Sequence, residues 1–207
     1  MTSGRWPGLS DMDTIDFRPA TRALAAVVAD IRDDQLAGPT PCPDYSVADL
    51  LDHVGGLTLA FTLAARKEPL TDGGQPSVDG ARLSPDWRAE LPAALELLAA
   101  AWTEPTAYDG LTMAGPIEMP AEIAALVALD EVVVHGWDLA RATGQPYDPE
   151  EAAVLASLGF ASGFTPPPEA GAGPFGPPVA VPADAPALDR LAGATGRDPG
   201  WAPRPAT

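Results

Sequence analysis

The chain has 207 residues, 46% of them hydrophobic, with a single cysteine and a formal net charge of −17. This is enough to bury the core of one domain with an appendage, and it argues against global disorder. The acidic excess argues against nucleic acid or an anionic membrane as partner, and one thiol excludes an internal disulfide.

Residues 1–12 are polar and lack the apolar core of a signal peptide, and no run approaches the length of a membrane span, so the expected compartment is the cytoplasm. An amphipathic helix is predicted from Asp13 to about Leu36, with Ile15, Leu24, Val27, Val28 and Ile31 on its stripe. Pro19 is expected to interrupt it, so that the firm part begins near Ala20. Pro39, Pro41 and Pro43 exclude a helix in the next stretch. A second helix opens at Ser46, with Asp49 completing a capping box, and runs to about Lys67 along Leu50, Val54, Leu57 and Phe61. Residues 68–81 read as a loop. A third helix spans about Pro85 to Trp102 on Trp87, Leu91, Leu95 and Leu98; Pro92 predicts either a kink or a start at Leu91. Gly and Pro punctuation before Pro120 suits a small hairpin. A fourth helix follows Pro120, continues to about Thr143 and stops at Gly144 and Pro146. A fifth is expected from about Pro149 to Gly159.

Beyond residue 164 Pro and Gly dominate, with one short helix expected over about 186–194. Val179, Val181, Leu188, Leu191 and Trp201 give this segment something to bury. The predicted fold class is all-α: a four-helix bundle over 13–164, with a Pro/Gly-rich C-terminal extension over 165–207 packed on it.

Glu131 and His135 are spaced i, i+4 on the fourth helix and so share one face, as do Val127 and Val134. That spacing suits two ligands of one metal ion, or a simple helix pair. A buried carboxylate needs a partner, and a divalent cation is one. His53 lies on the apolar stripe of the second helix. If the two helices are neighbours it meets Glu131 and His135, giving two imidazoles and a carboxylate with one open position, a catalytic-metal arrangement. Asp138 either orients His135 as an outer partner of the metal or pairs with Arg141 on the helix surface. Gly55, Gly56 and Gly136 read as positions of close approach, by another helix or beside a cavity. Cys42 reads as a structural thiol; eleven residues of separation from His53 argue against its serving as a fourth ligand.

"TPCPDYSVADLLDHVGG" and "DEVVVHGWDLARATGQ" resemble actinobacterial metal-binding proteins related to the N-terminal domain of mycothiol-dependent maleylpyruvate isomerase, within the DinB-like superfamily. The resemblance implies a four-helix bundle of unusual connectivity. It also implies a divalent metal, usually zinc, held by a histidine of the second helix and an E-x-x-x-H pair of the fourth. Those positions are His53, Glu131 and His135. The isomerase carries a separate C-terminal domain that the Pro-rich tail does not resemble, a departure that argues against maleylpyruvate isomerisation itself.

The expected function is that of a metal- and thiol-dependent transferase or isomerase of the mycothiol type, in which the metal (Zn2+, with Ni2+ or another divalent ion as substitute) activates a low-molecular-weight thiol toward an electrophilic substrate. The alternatives are a metal-hydroxide hydrolase and a non-catalytic metal-binding or regulatory module. Expected partners are the thiol, the electrophile and, through an exposed helix face, a second copy; neither nucleic acid nor membrane is expected.

Overall fold

The computed structural model describes residues 14–70, 78–164 and 175–203. The first helix, α1, covers Arg18–Ala29. Pro19 sits in its opening turn instead of interrupting it, which corrects the expectation above. A first-turn residue has no intrahelical acceptor for its N–H, so the missing donor costs nothing. The helix also ends earlier than predicted, at Ala29, and the chain continues through a single 3-10 turn at Asp33–Gln35. Asp13 lies outside the described residues, as do the first twelve.

The second helix, α2, covers Val47–Arg66 and starts as predicted. The Ser46 side chain accepts from the Asp49 N–H, and the Asp49 carboxylate accepts from the Ser46 N–H. The preceding Pro-rich loop completes this cap: the N–H groups of Val47 and Ala48 donate to the carbonyls of Gly38 and Leu36. By length and composition α2, with a mean hydropathy of 1.3, is apolar enough to cross a membrane, which corrects the reading that no run approaches a span. Its apolar residues are spent instead on protein contacts, since α2 packs against α3 and α4.

The third helix, α3, covers Trp87–Ala101 and passes through Pro92, so the alternative start at Leu91 is not taken. A 3-10 turn at Pro105–Tyr108 leads to an antiparallel hairpin, β1 (Leu111–Ala114) with β2 (Ile117–Pro120), in which Leu111 faces Pro120. The small hairpin thus stands where the Gly and Pro punctuation placed it, beside otherwise helical elements. The Thr112 hydroxyl ties the hairpin to α2 by donating to the Ala64 carbonyl at 2.6 Å.

The fourth helix, α4, covers Ala121–Thr143 and ends at Gly144, whose φ of 71° is the left-handed conformation that glycine adopts without a Cβ penalty. The fifth, α5, covers Glu151–Gly163, ending about a turn later than predicted, and α6 covers Ala187–Ala194. Helix α1 packs on α3 and α4, α2 on the same two helices, and α5 on α4 and α6. The shared core holds Leu24, Leu50, Leu51, Leu95, Leu98, Leu129 and Leu139. Leu188, Leu191 and Ala192 of α6 meet Val134 and Trp137 of α4. Of the apolar residues expected to anchor the extension, Leu191 is buried, Leu188, Val181 and Trp201 are half-buried, and Val179 is exposed, though its N–H donates to the Gly193 carbonyl.

Candidate metal centre

Two neighbouring helices bring the predicted trio together. His53 projects from α2 and Glu131 and His135 from α4, and one ligand atom from each lies within 4.8 Å of the others. The two imidazole rings stand 5.2 Å apart at 78°. Glu131 Oε2 lies 2.8 Å from His135 Nε2. Ligands bound at about 2.1 Å from one metal ion stand roughly 3 to 4 Å apart, so small side-chain rotations bring this donor set to bonding distance. Of the valines on this face, Val134 is buried and Val127 half-buried.

Of the two neighbours expected for it, Asp138 lies against His135 and not Arg141. It is 0% exposed, and its Oδ2 lies 3.0 Å from His135 Nδ1. A proton held at Nδ1 by this carboxylate leaves Nε2 as the ligand nitrogen, facing Glu131 and His53. Asp138 does not pair with Arg141, which reaches away to the Pro199 carbonyl. Its cationic partner is Arg197, whose Nη2 donates to Oδ2 at 2.9 Å and whose Nε donates to Oδ1 at 3.3 Å.

Arg197 was absent from the sequence reading, although a local signal marks its position. Helix α6 ends with the Gly196 N–H donating to Gly193 and the Arg197 N–H donating to Ala192. Gly196 has a φ of 83°. This is a Schellman stop, and the glycine that makes it turns the next residue back toward α4. What the sequence does not carry is that α4 presents a buried carboxylate there.

Cys42 lies on the same side of α4 as Asp138. Its Sγ lies 3.4 Å from Asp138 Oδ2 and 3.2 Å from Arg197 Nη2. The loop that carries it is knotted by buried Thr40, whose hydroxyl accepts from the Cys42 N–H at 3.1 Å and lies 2.9 Å from the carbonyls of Cys42 and Tyr45. The knot and the prolines fold the loop across to α4, so chain separation from His53 does not set the thiol's place. Cys42, His135 and Asp138 form a second group of converging ligand atoms. The Arg197 guanidinium occupies this corner, and its positive charge disfavours a cation there, leaving His53, Glu131 and His135 as the better donor set.

The electrostatics follow the same arrangement. Burial disfavours a charged His135, but hydrogen bonds to Asp138, Cys42 and Glu131 outweigh it and hold the imidazole well above its ordinary range. Burial likewise opposes ionisation of Glu131 and Asp138. Their bonds and charge pairing with His135, and Arg197 beside Asp138, keep both carboxyls below the usual range. Asp130, also missed by the sequence reading, behaves oppositely: burial and then repulsion from Glu131 push it well above.

Gly55 and Gly136 both take the close-approach reading. A Cβ on Gly55 would stand 3.2 Å from Leu91 Cδ2, so this glycine serves helix packing against α3 and not a cavity at the site. A Cβ on Gly136 would stand 2.6 Å from Tyr147 Cζ, so Gly136 admits the chain after α4 against the back of the helix.

A cleft of about 400 Å³ opens on the trio, walled by Cys42 and Tyr45 of the Pro-rich loop and by Phe175, Thr195 and Arg197 of the C-terminal segment. A half-buried donor set beside such a cleft can hold a metal and leave a coordination position facing a small molecule.

Residues 17–140 match the family model described as the mycothiol maleylpyruvate isomerase N-terminal domain. Two uncharacterized proteins, from two strains of Mycobacterium tuberculosis, are each 34% identical over 184 residues, 86% of this chain and 93% of theirs. Among solved structures, the crystal structure of the mycothiol-dependent maleylpyruvate isomerase is similar with a TM-score of 0.52 at 17% identity. A histidine-to-alanine mutant of that enzyme gives 0.53 at 16%. Each match covers 70% of this chain and 65% of the isomerase chain, and at this identity it speaks for the fold.

Proposed function

The chain belongs to the mycothiol maleylpyruvate isomerase N-terminal domain family, and on that premise we propose that it binds a divalent metal and acts with a low-molecular-weight thiol of the mycothiol type. The observation that carries this reading is the convergence of His53, Glu131 and His135, with ligand atoms within 4.8 Å of one another at the floor of an open cleft. Helices α1 to α4 act as a four-helix bundle that sets these side chains, and the C-terminal segment walls the cleft. Two imidazoles and a carboxylate suit zinc and also accept nickel or another divalent ion.

A divalent ion bound there would supply the positive charge that favours a thiolate over a thiol at neutral pH. The chain's own residues do the rest. Asp138 keeps the proton of His135 on Nδ1 and fixes the ring. Val134 and Tyr45 line the cleft and limit water around the thiol. The electrophilic partner enters through the mouth between the Pro-rich loop and the C-terminal segment. The reaction class is transfer to, or isomerisation through, a thiol adduct, and its setting is the cytosol, where such thiols are kept reduced.

Elemental analysis of the purified protein tests the ligands. About one zinc per chain is expected in the unmodified protein, with loss in His53→Ala and in Glu131→Ala. Full metal content in either variant rejects the assignment. The thiol is tested separately, by following thiol consumption when the metal-loaded protein meets a thiol and electrophilic substrates. Metal-loaded protein that consumes no thiol turns the reading toward hydrolysis or toward a binding module.

A further inference from the structure

The Cys42 corner has chemistry that the metal reading leaves unused. Cys42 is the single cysteine of the chain and sits half-buried on the wall of the cleft. The thiol donates to Asp138 Oδ2 at 3.4 Å, and the sulfur accepts from Arg197 Nη2 at 3.2 Å. A cation beside a partly exposed sulfur is the setting of a reactive thiol, because negative charge develops on sulfur when it attacks. A second feature of the same cleft points to a ligand. Asp130 is 3% exposed and lines the cleft, and its Oδ1 has no hydrogen-bond partner among the described residues. A buried carboxyl oxygen without a hydrogen-bond partner is costly, and a small molecule bearing hydroxyl or amide groups supplies one.

We propose that Cys42 is a thiol–disulfide exchange site for a low-molecular-weight disulfide bound in this cleft. Cys42 Sγ attacks one sulfur of the disulfide. The old S–S bond breaks as the new Cys42–sulfur bond forms, so Cys42 is oxidised and the departing half is reduced. That half leaves as a thiol carrying the proton that Cys42 gives up. Arg197 stabilises the charge that builds between the sulfurs. With no second cysteine in the chain, no internal disulfide can resolve the product, and the mixed disulfide persists until an external thiol reverses it. While it persists, the attached group fills the cleft of about 400 Å³ in front of His53, Glu131 and His135. The site is thereby closed under oxidising conditions and reopened by reduced thiol.

The test uses the reduced full-length protein and glutathione disulfide as probe, with intact mass reporting the adduct over time. The reference is the same protein unfolded in urea at the same pH, which removes the Arg197 contact and the cleft. The folded protein is expected to gain one glutathionyl group roughly 10-fold faster than the unfolded chain, and Arg197→Leu to bring the rate down to the unfolded value while Arg197→Lys retains most of it. A folded rate equal to or below the unfolded rate overturns the proposal, whether or not the Arg197 variants fold. Metal content enters neither readout, so failure here and failure of the metal assignment are told apart.

Discussion

At the scale of single residues, Asp138 has the most to say about the centre. It is fully buried, accepts from His135 Nδ1 and is paired with Arg197. Replacing it by Asn keeps the shape but removes the charge that holds the imidazole and balances the guanidinium. Asp138→Asn is expected to weaken zinc binding by about 10- to 100-fold in competition with a chromophoric chelator. Unchanged affinity would remove Asp138 from the positioning role. Asp138 was legible as a candidate because i, i+3 neighbours on a helix meet by geometry alone. Asp130 was not, because its burial depends on which flank of α4 the other helices cover. The nearness of Cys42 to Asp138 was not legible for a related reason: counting residues along a loop says little about where three prolines and a buried threonine direct it.

At the scale of elements, the start of α2 shows local chemistry at work. The Asp49 carboxylate accepts from the Ser46 hydroxyl at 2.6 Å, the Gly80 N–H at 2.7 Å and the Ser46 N–H at 2.9 Å. These bonds, the Ser46 hydroxyl foremost, hold its pKa below the ordinary value of 3.8. A carboxyl depressed on folding stabilises the native state above its unfolded pKa, and that contribution is lost as pH falls through the folded value. Urea titrations of Asp49→Asn are therefore expected to differ from the parent above pH 3.8 and to converge with it in stronger acid. A difference that persists undiminished at low pH contradicts the cap's ionic character. Ser46→Ala is expected to cost about 1 kcal/mol at neutral pH. Helix α2 also carries His53, so fraying at this end loosens one side of the site.

At the scale of the whole molecule, the C-terminal segment supplies one wall of the cleft. Leu188, Leu191 and Ala192 cover Val134 and Trp137, and the turn at Gly196 delivers Arg197 to Asp138. A chain truncated after Phe164 loses this cover and leaves the Asp138 charge buried without its guanidinium. Its urea midpoint is expected to fall by the equivalent of at least about 2 kcal/mol, with increased binding of a hydrophobic dye. An unchanged midpoint would show that the helical body holds its fold without the segment. What the sequence by itself determined is what nearest neighbours settle. The caps at Ser46 and Gly144, the apolar stripes, and the pairing of Glu131 with His135 on one helical face all rest on spacing within a few residues. Only the tertiary structure decided that α2 lies beside α4, that the Pro-rich loop brings Cys42 to Asp138, and that Arg197 crosses from the far end of the chain. Those contacts join residues remote in sequence, and their energy comes from burial and charge pairing that no local pattern encodes.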